Sequence, residues 1–502
     1  MAKQSGSIQI LDIDGLDPAS RQSLKARVET HIRRAILTGN FLPGARLPSS
    51  RVLAHDLNVS RHTVEWAFDQ LQSEGFLVRR KGSGTFVSSQ VPERERPPET
   101  GVGTRSRIAA PPAPLSRRGE VFAGYPGQLT PTVGTAFTPS IPAIELFPRR
   151  VWERLLSRSV RRSGTEYWAY GASAGLPELR QAIAAHVAGS RAVACSPDQV
   201  IVMSSAQQAV DLVSRVLIDP GEAAWIEDPC YPPTMHLLRA AGAVVVPIPV
   251  DLNGLDVSAA LAVEPAARLA YVTPSHQYPS GGLMSLERRQ ALLAWAQRAD
   301  GWVIEDDYDG DLRYAGRPLA SLQALDPAGR VIYIGTFSKM MFSSLRIAFL
   351  VAPVSLVDAF INAKHLMDGH APGHTQAALA AFIGEGHLAA HLRAVLPEYD
   401  LRRLAVLKEL ALLSDELEIG PSDAGLHLSV YLRRQGDDRR IASMCAEKGV
   451  DLHPLSRFYA GAPRAGFVMG FACSRPVRTH AAMRVVGQVL GGKRPVAGKV
   501  VR

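Results

Sequence analysis

Val331-Ile332-Tyr333-Ile334-Gly335-Thr336-Phe337-Ser338-Lys339, answered by Arg346 and then by Ile347-Ala348-Phe349-Leu350-Val351, is the stretch on which the reading of this 502-residue chain turns. A short apolar run ended by small and hydroxylated residues reads as a buried strand, and the second apolar run reads as another. Between them stand an amine, hydroxyls and a guanidinium, at a strand end where ligands of such sheets collect. Thr336, Ser338 and Arg346 suit a phosphate. Lys339 can form a Schiff base if its ammonium is partly desolvated or lies near other cations. The combination predicts a site for a phosphorylated aldehyde.

The surrounding chain supports that site. Val200-Ile201-Val202-Met203, Ala223-Ala224-Trp225-Ile226, Ala243-Val244-Val245-Val246, Leu269-Ala270-Tyr271-Val272 and Trp302-Val303-Ile304 are further apolar runs separated by helical stretches. Such alternation predicts an α/β fold, a mostly parallel sheet covered by helices on both faces. Ser205, Ala206 and Gln207 open a helix after one strand, and backbone N–H groups at a helix start favour an anion. Tyr231, in Asp228-Pro229-Cys230-Tyr231-Pro232, is held in a turn from which its ring can stack on a planar cofactor. After Ile304 comes Glu305-Asp306-Asp307-Tyr308, where a carboxylate can keep a pyridinium nitrogen protonated and the phenol can reach a ring oxygen. Pyridoxal phosphate is the aldehyde that uses all of these groups.

The front of the chain has another character. Leu24, Val28, Ile32, Ala35 and Ile36 lie at helical spacing and stop near Thr38-Gly39-Asn40. Ser49 can cap a short second helix, Asn58 suits the turn after it, and Ser60 can cap a third helix with Arg61, His62 and Thr63 in its first turn. Two short helices about a tight turn describe a helix-turn-helix, in which the start of the second helix meets the bases. Residues 75–87 then read as two strands around the basic glycine turn Lys81-Gly82-Ser83-Gly84, a wing able to reach phosphates or the minor groove. From Val91 to about Arg118 proline mixes with Arg, Glu, Gly and Ser and apolar periodicity stops, which predicts an extended linker. Of the net charge of +9, a surplus of 6 falls in residues 1–120, with 18 Lys+Arg against 12 Asp+Glu, which fits a polyanionic partner. Four scattered cysteines suit reduced thiols rather than a disulfide or zinc framework, and neither a membrane span nor a signal-peptide core is present, so a cytoplasmic protein is expected.

Residues 20–88 resemble the winged helix-turn-helix of GntR-type bacterial regulators, in the Leu47-Pro48-Ser49-Ser50-Arg51 stretch, the Val59-Ser60-Arg61-His62-Thr63-Val64 stretch and the Gly82-Ser83-Gly84-Thr85-Phe86-Val87 wing. The resemblance implies Arg51, Arg61, Thr63 and Gly82 on double-stranded operator DNA, with His62 and Lys81 as lesser candidates. Residues from about 130 to 490 resemble the fold type I, class I/II aminotransferases, and the combination resembles the MocR/GabR regulators. This divides the chain into a winged domain (18–89), a linker (90–120) and a cofactor domain (121–495). By that resemblance Lys339 bears the cofactor, Asp306 faces the ring nitrogen, with its neighbour Asp307 as the alternative, Tyr308 faces the ring hydroxyl and Tyr231 the ring face. Tyr170 would reach the phosphate of a neighbouring subunit, so a homodimer, head-to-tail in the family, is expected.

Two departures from the enzymes stand out. Tyr278 replaces an asparagine that contacts the ring hydroxyl, leaving Gln277 or His276 to do so. Val468 replaces the arginine that grips a substrate carboxylate, leaving Arg457, Arg464 or Arg475 as substitutes. His387 and His391 have a spacing that permits a metal, but their segment resembles one that has no metal role in the family, and no metal is expected. The expectation is a regulator that senses an amine, an amino acid or the vitamer itself. An active aminotransferase with an appended DNA-binding domain is the alternative, and a dimerisation domain that has lost its cofactor is a third reading.

Overall fold

Ser23, Ser49 and Ser60 each accept the backbone N–H three residues further on, from Ala26, Val52 and Thr63, and each starts a helix. The helices are α1 (Leu24–Leu37), α2 (Ser50–Asp56) and α3 (Arg61–Ser73), with Asn58 in the left-handed region at φ 50° in the turn between the last two. Val28, Ile32 and Ile36 of α1 pack with Leu53, Val64, Phe68 and Leu71. Strands β1 (Leu77–Arg80) and β2 (Gly84–Val87) pair antiparallel, Leu77 opposite Val87 and Arg80 opposite Gly84, and their buried ends close that core. Gly82 at the tip has φ 78°, a conformation that favours glycine.

The computed structural model describes residues 23–89, 114–127, 136–162, 167–315 and 320–491, and these fall into two units divided between residues 112 and 113. Residues 18–22, 90–113, 128–135, 163–166, 316–319 and 492–495 of the expected domains lie outside the described residues. The stretch expected to run extended to residue 120 is helical at its end: Ser116 accepts the Gly119 N–H and starts α4 (Arg117–Ala123). A serine cap and a following Glu120 outweigh the composition of the preceding residues.

Behind α4 come α5 (Arg149–Arg162), α6 (Pro177–Arg191), α7 (Ala206–Leu217) and α8 (Pro232–Ala241). They accompany strands β3 (Val200–Met203), β4 (Ala223–Asp228), β5 (Val244–Asp251), β6 (Gly254–Leu255), β7 (Leu269–Val272), β8 (Trp302–Asp307), β9 (Val331–Thr336) and β10 (Ala348–Val351). These form one sheet in the order β3-β10-β9-β8-β7-β4-β5-β6. β5, β4, β7, β8 and β9 are parallel, whereas β10 runs antiparallel to β9 and β3. The connection from Thr336 to Ala348 is too short for a crossover helix, so the chain must double back. That return loop carries Ser338, Lys339 and Arg346. The central strands are buried on both faces, Ile304, Ile332 and Ile334 against one core and Val303 and Val331 against the other. A second, antiparallel sheet holds β11 (Leu417–Ile419), β12 (His427–Leu432), β13 (His453–Pro454) and β14 (Gly466–Gly470) in the order β11-β12-β14-β13. Among the described residues no helix is long and apolar enough to cross a membrane.

Candidate cofactor and DNA sites

A cavity of about 550 Å³ opens at the strand ends of the large sheet. Ser205, Ala206 and Gln207 reach it from the start of α7, where Ser205 Oγ accepts the Gln208 N–H at 3.1 Å. Thr336, Ser338, Ser343 and Arg346 reach it from the β9–β10 return. Arg346 takes φ 52°, an uncommon conformation for a residue with a side chain. Helix N–H groups, hydroxyls and a guanidinium thus converge on one end of the cavity, and the buried Oγ of Ser343 has no protein partner there. This donor set fits a phosphate.

Lys339 lies on the wall and donates from Nζ to the Ser140 carbonyl at 3.2 Å. Burial pulls its pKa below the ordinary lysine value and Arg346 adds to the effect, while Asp309 and Asp306 oppose it. A less basic amine is a better nucleophile at neutral pH. Asp306, also on the wall, accepts from the Tyr271 hydroxyl at 2.6 Å through Oδ2, while its buried Oδ1 has no protein partner. Burial raises Asp306 to about 6, with Asp307 and Asp309 adding to it and Tyr271 opposing. A buried, half-satisfied carboxylate facing a cavity is what a pyridinium N–H would complete. Together with the anion end and the lysine, it makes the site fit pyridoxal phosphate.

Asp307 has a different place. It points to the opposite face of β8, where Oδ2 accepts from Arg191 Nε at 2.6 Å and from the Tyr333 hydroxyl at 2.7 Å. It is a structural ion pair, and Asp306 is the cavity carboxylate. Tyr231, Tyr278, Tyr308 and Phe458 complete the walls, with the Tyr231 ring edge-on to Tyr278 at 5.5 Å. The cavity therefore gathers every expected cofactor residue except Tyr170, which is 98% exposed and outside it.

Neither expected substitute for the missing asparagine reaches the cavity. Gln277 Nε2 is taken up by Glu227, the Pro229 carbonyl and the Tyr278 carbonyl, while His276 sits behind Tyr308. Tyr278 itself lines the wall. Val468 is fully buried among Tyr278, Tyr308, Leu455 and Phe458. Of the three arginines considered in its stead, Arg457 lines the cavity beside His453. Arg464 instead pairs with Glu418 at 2.6 Å and lies over the Tyr431 ring, and Arg475 lies near Glu145. Sequence reasoning missed Tyr271, Ser140, Ser343 and the His276–Asp309 pair. Tyr271 reads as one more apolar residue of its strand, Ser140 and the His276–Asp309 pair meet partners distant in sequence, and the Ser343 hydroxyl has no protein partner to mark it. His391 Nε2 lies 3.1 Å from the Met340 carbonyl, and His387 pairs with Glu385.

In the first unit, Arg51, Arg61, His62, Lys81 and Gly82 are exposed on α2, on α3 and at the wing tip. Arg61 is steadied by Ser50 and Glu65, and Glu65 also holds Arg79 of the wing at 2.9 Å, so the helix and the wing share one carboxylate. Thr63 departs from expectation: it is buried, and its hydroxyl lies 2.8 Å from Ser60 Oγ. It is the third residue of a capped helix, and its hydroxyl lies against the cap.

The chain matches the family of bacterial regulatory proteins of gntR type over residues 24–87 and the class I and II aminotransferases over residues 144–471. It is 40% identical over 469 residues to the probable rhizopine catabolism regulatory protein MocR of Rhizobium meliloti, covering 92% of each chain. It is 31% identical to the HTH-type pyridoxine biosynthesis transcriptional regulator PdxR of Corynebacterium glutamicum, covering 91% of this chain and 93% of the other. Its fold matches LysN, the α-aminoadipate aminotransferase of Thermus thermophilus solved with N-(5'-phosphopyridoxyl)-L-leucine, at TM-score 0.65 and 27% identity over 71% of this chain and 91% of that one.

Proposed function

Because the chain belongs to the MocR-type transcriptional regulators, which join a GntR-family winged helix to a class I and II aminotransferase domain, we propose that it binds operator DNA under the control of pyridoxal phosphate and an amine. The observation that carries this reading is the convergence of Lys339, the unpartnered Oδ1 of Asp306 and the anion end on one cavity. Bound there, pyridoxal phosphate supplies an electrophilic carbonyl carbon and an electron-withdrawing ring.

Lys339 would hold the cofactor through Nζ, its lowered basicity favouring the neutral amine. Asp306 would keep a proton on the ring nitrogen, Tyr231 would cover one ring face, and Tyr308 would donate to the ring hydroxyl. Ser205, Ala206, Gln207, Thr336, Ser338 and Arg346 would bind the phosphate. Tyr170, almost wholly exposed, would complete the phosphate site of a partner subunit in a head-to-tail dimer. Arg51, Arg61 and the wing at Gly82 would meet the operator. A difference of about 1–3 kcal/mol in operator binding between cofactor states suffices for regulation. The protein would act in the cytoplasm.

The effector is an amine not gripped as ordinary α-amino acids are, since Val468 offers no bidentate clamp. Arg457 makes no ion pair among the described residues and is the cation left on the wall to meet an anionic group at an amine's far end. The visible spectrum of the purified protein with added pyridoxal phosphate tests the cofactor reading. A band that Lys339→Ala loses and that one amine shifts supports it; no band sinks it. An active aminotransferase remains the second reading, favoured by the complete lysine, aspartate and tyrosine set. Sustained conversion of an amino acid with a keto acid would support it.

A further inference from the structure

Beneath the cavity two groups compete for one atom. Nδ1 of His276 lies 2.9 Å from Oδ2 of Asp309 and 2.9 Å from the Tyr308 hydroxyl. His276 and Asp309 are each 3% exposed and Tyr308 is 8% exposed, so water does not settle the competition. A neutral imidazole nitrogen either carries a hydrogen or offers a lone pair. An ionised Asp309 only accepts, which requires the hydrogen to sit on Nδ1. Nδ1 then cannot accept from Tyr308. The phenol proton has no other acceptor among the described residues and is left for the cavity, on whose wall Tyr308 stands.

The surroundings close the arrangement. Gly425, at φ +75°, backs onto the pair: a Cβ there would fall 2.3 Å from Asp309 Oδ2 and 2.5 Å from His276 Nδ1. His427, fully buried, has its ring 5.1 Å from that of His276, and burial keeps it far less basic than an ordinary histidine, with His276 adding to the effect. Facing Tyr308 are also Tyr278, Asp306 and Tyr271; burial opposes the ionisation of Asp309 and Asp307 adds to that, while His276 and Lys339 support it. Donor atoms of His276, Asp309 and His427 lie within 4.8 Å of one another. Of the two His276 nitrogens, Nδ1 is already engaged by Asp309 and Tyr308.

We propose that the Asp309–His276 pair is a positioning relay that fixes the Tyr308 hydroxyl as a hydrogen-bond donor into the cavity, replacing the polar support that Tyr278 no longer supplies. This rests on the reading that the cavity holds pyridoxal phosphate with its ring hydroxyl at Tyr308. Neither Asp309 nor His276 touches the cofactor; both act through the phenol. The relay is specific in charge: an amide at position 309 can donate to Nδ1, which moves the imidazole hydrogen to Nε2.

The tautomer can be read without cofactor, by ¹⁵N-histidine NMR of the cofactor-free full-length protein, with His276→Gln to assign the signal. The expected result is a protonated Nδ1 and an unprotonated Nε2, reversed in Asp309→Asn. A wild-type His276 protonated on Nε2 overturns the proposal, and this arm decides even if the variant does not fold. In the cofactor-loaded protein, Tyr308→Phe and Asp309→Asn should each raise the pH midpoint of the visible band, the double variant no further than either. Losing a donor to the ring oxygen leaves its charge stabilised by the neighbouring nitrogen's proton, which is then held to higher pH. An Asp309→Asn midpoint equal to wild type beside a shifted Tyr308→Phe also overturns the relay. Failure of the cofactor reading would show separately, as absence of the Lys339-dependent band with the tautomer unchanged.

Discussion

Asp306 and Asp307 are neighbours with opposite surroundings, and their substitution should have opposite consequences. Asp306→Asn removes a charged partner from the ring nitrogen while keeping the shape, so cofactor binding should weaken by about 1.5–3 kcal/mol, or roughly 10–150-fold, with folding little changed. Asp307→Ala leaves the Arg191 guanidinium buried without its 2.6 Å partner, and should cost about 3–5 kcal/mol of stability. Cofactor titration beside thermal unfolding separates the two; equal effects on stability would contradict these assignments. A third carboxylate, Glu227, is fully enclosed, bonded by Thr273 at 2.6 Å and pushed up by burial to about 7. Its folded pKa exceeds its unfolded one, so it contributes stability below about pH 4.5 that is lost as pH rises through about 7. Glu227→Gln should therefore flatten the fall in stability of the cofactor-free protein across that window, by an order of 1–3 kcal/mol. An unchanged slope would place the titration elsewhere. The family resemblance puts Asp306 first and Asp307 as the alternative, while the residues of the strand itself do not decide between them. β8 is buried on both faces, so its sequence carries no alternation to say which side chain meets the cavity.

At the scale of elements, the strands around Lys339 and the caps at Ser49 and Ser60 were legible because their causes are local: apolar runs, and hydroxyls one residue before a helix. What was not legible has distant causes. His276 meets Asp309 across 33 residues, and the Ser140 carbonyl meets Lys339 across 199. Thr63 lies where the family pattern expects a DNA contact, yet the cap that starts α3 turns it inward. On the proposed reading, the start of α3 is what meets the bases. Ser60→Ala should cost about 1 kcal/mol by leaving the first-turn N–H groups unsatisfied. Arg61→Ala and Arg51→Ala should each weaken operator binding by about 1–3 kcal/mol if they meet bases, without lowering the melting temperature. Electrophoretic mobility shifts at fixed salt check this, and full operator affinity in both variants would move the interface off this helix pair.

For the whole molecule, the cavity contains every expected cofactor residue except one that projects into solvent. Tyr170→Ala should leave the stability of the chain within about 0.5 kcal/mol, as exposed substitutions do, yet weaken cofactor binding if a partner subunit presents it to the phosphate. Unchanged affinity in the dimer would remove Tyr170 from the site. A dimer with one winged unit per chain also requires two half-sites in the operator, so shortening the spacing by half a helical turn should abolish tight binding. The most direct test of the central claim is operator affinity, measured by fluorescence anisotropy at fixed salt, for the wild type and Lys339→Ala, without cofactor, with pyridoxal phosphate, and with pyridoxal phosphate plus the amine that shifts the visible band. Cofactor control predicts a change of about 5–150-fold between cofactor states of the wild type, absent in Lys339→Ala. The same affinity in every state of the wild type would contradict it, leaving a DNA-binding protein whose cofactor cavity serves another purpose.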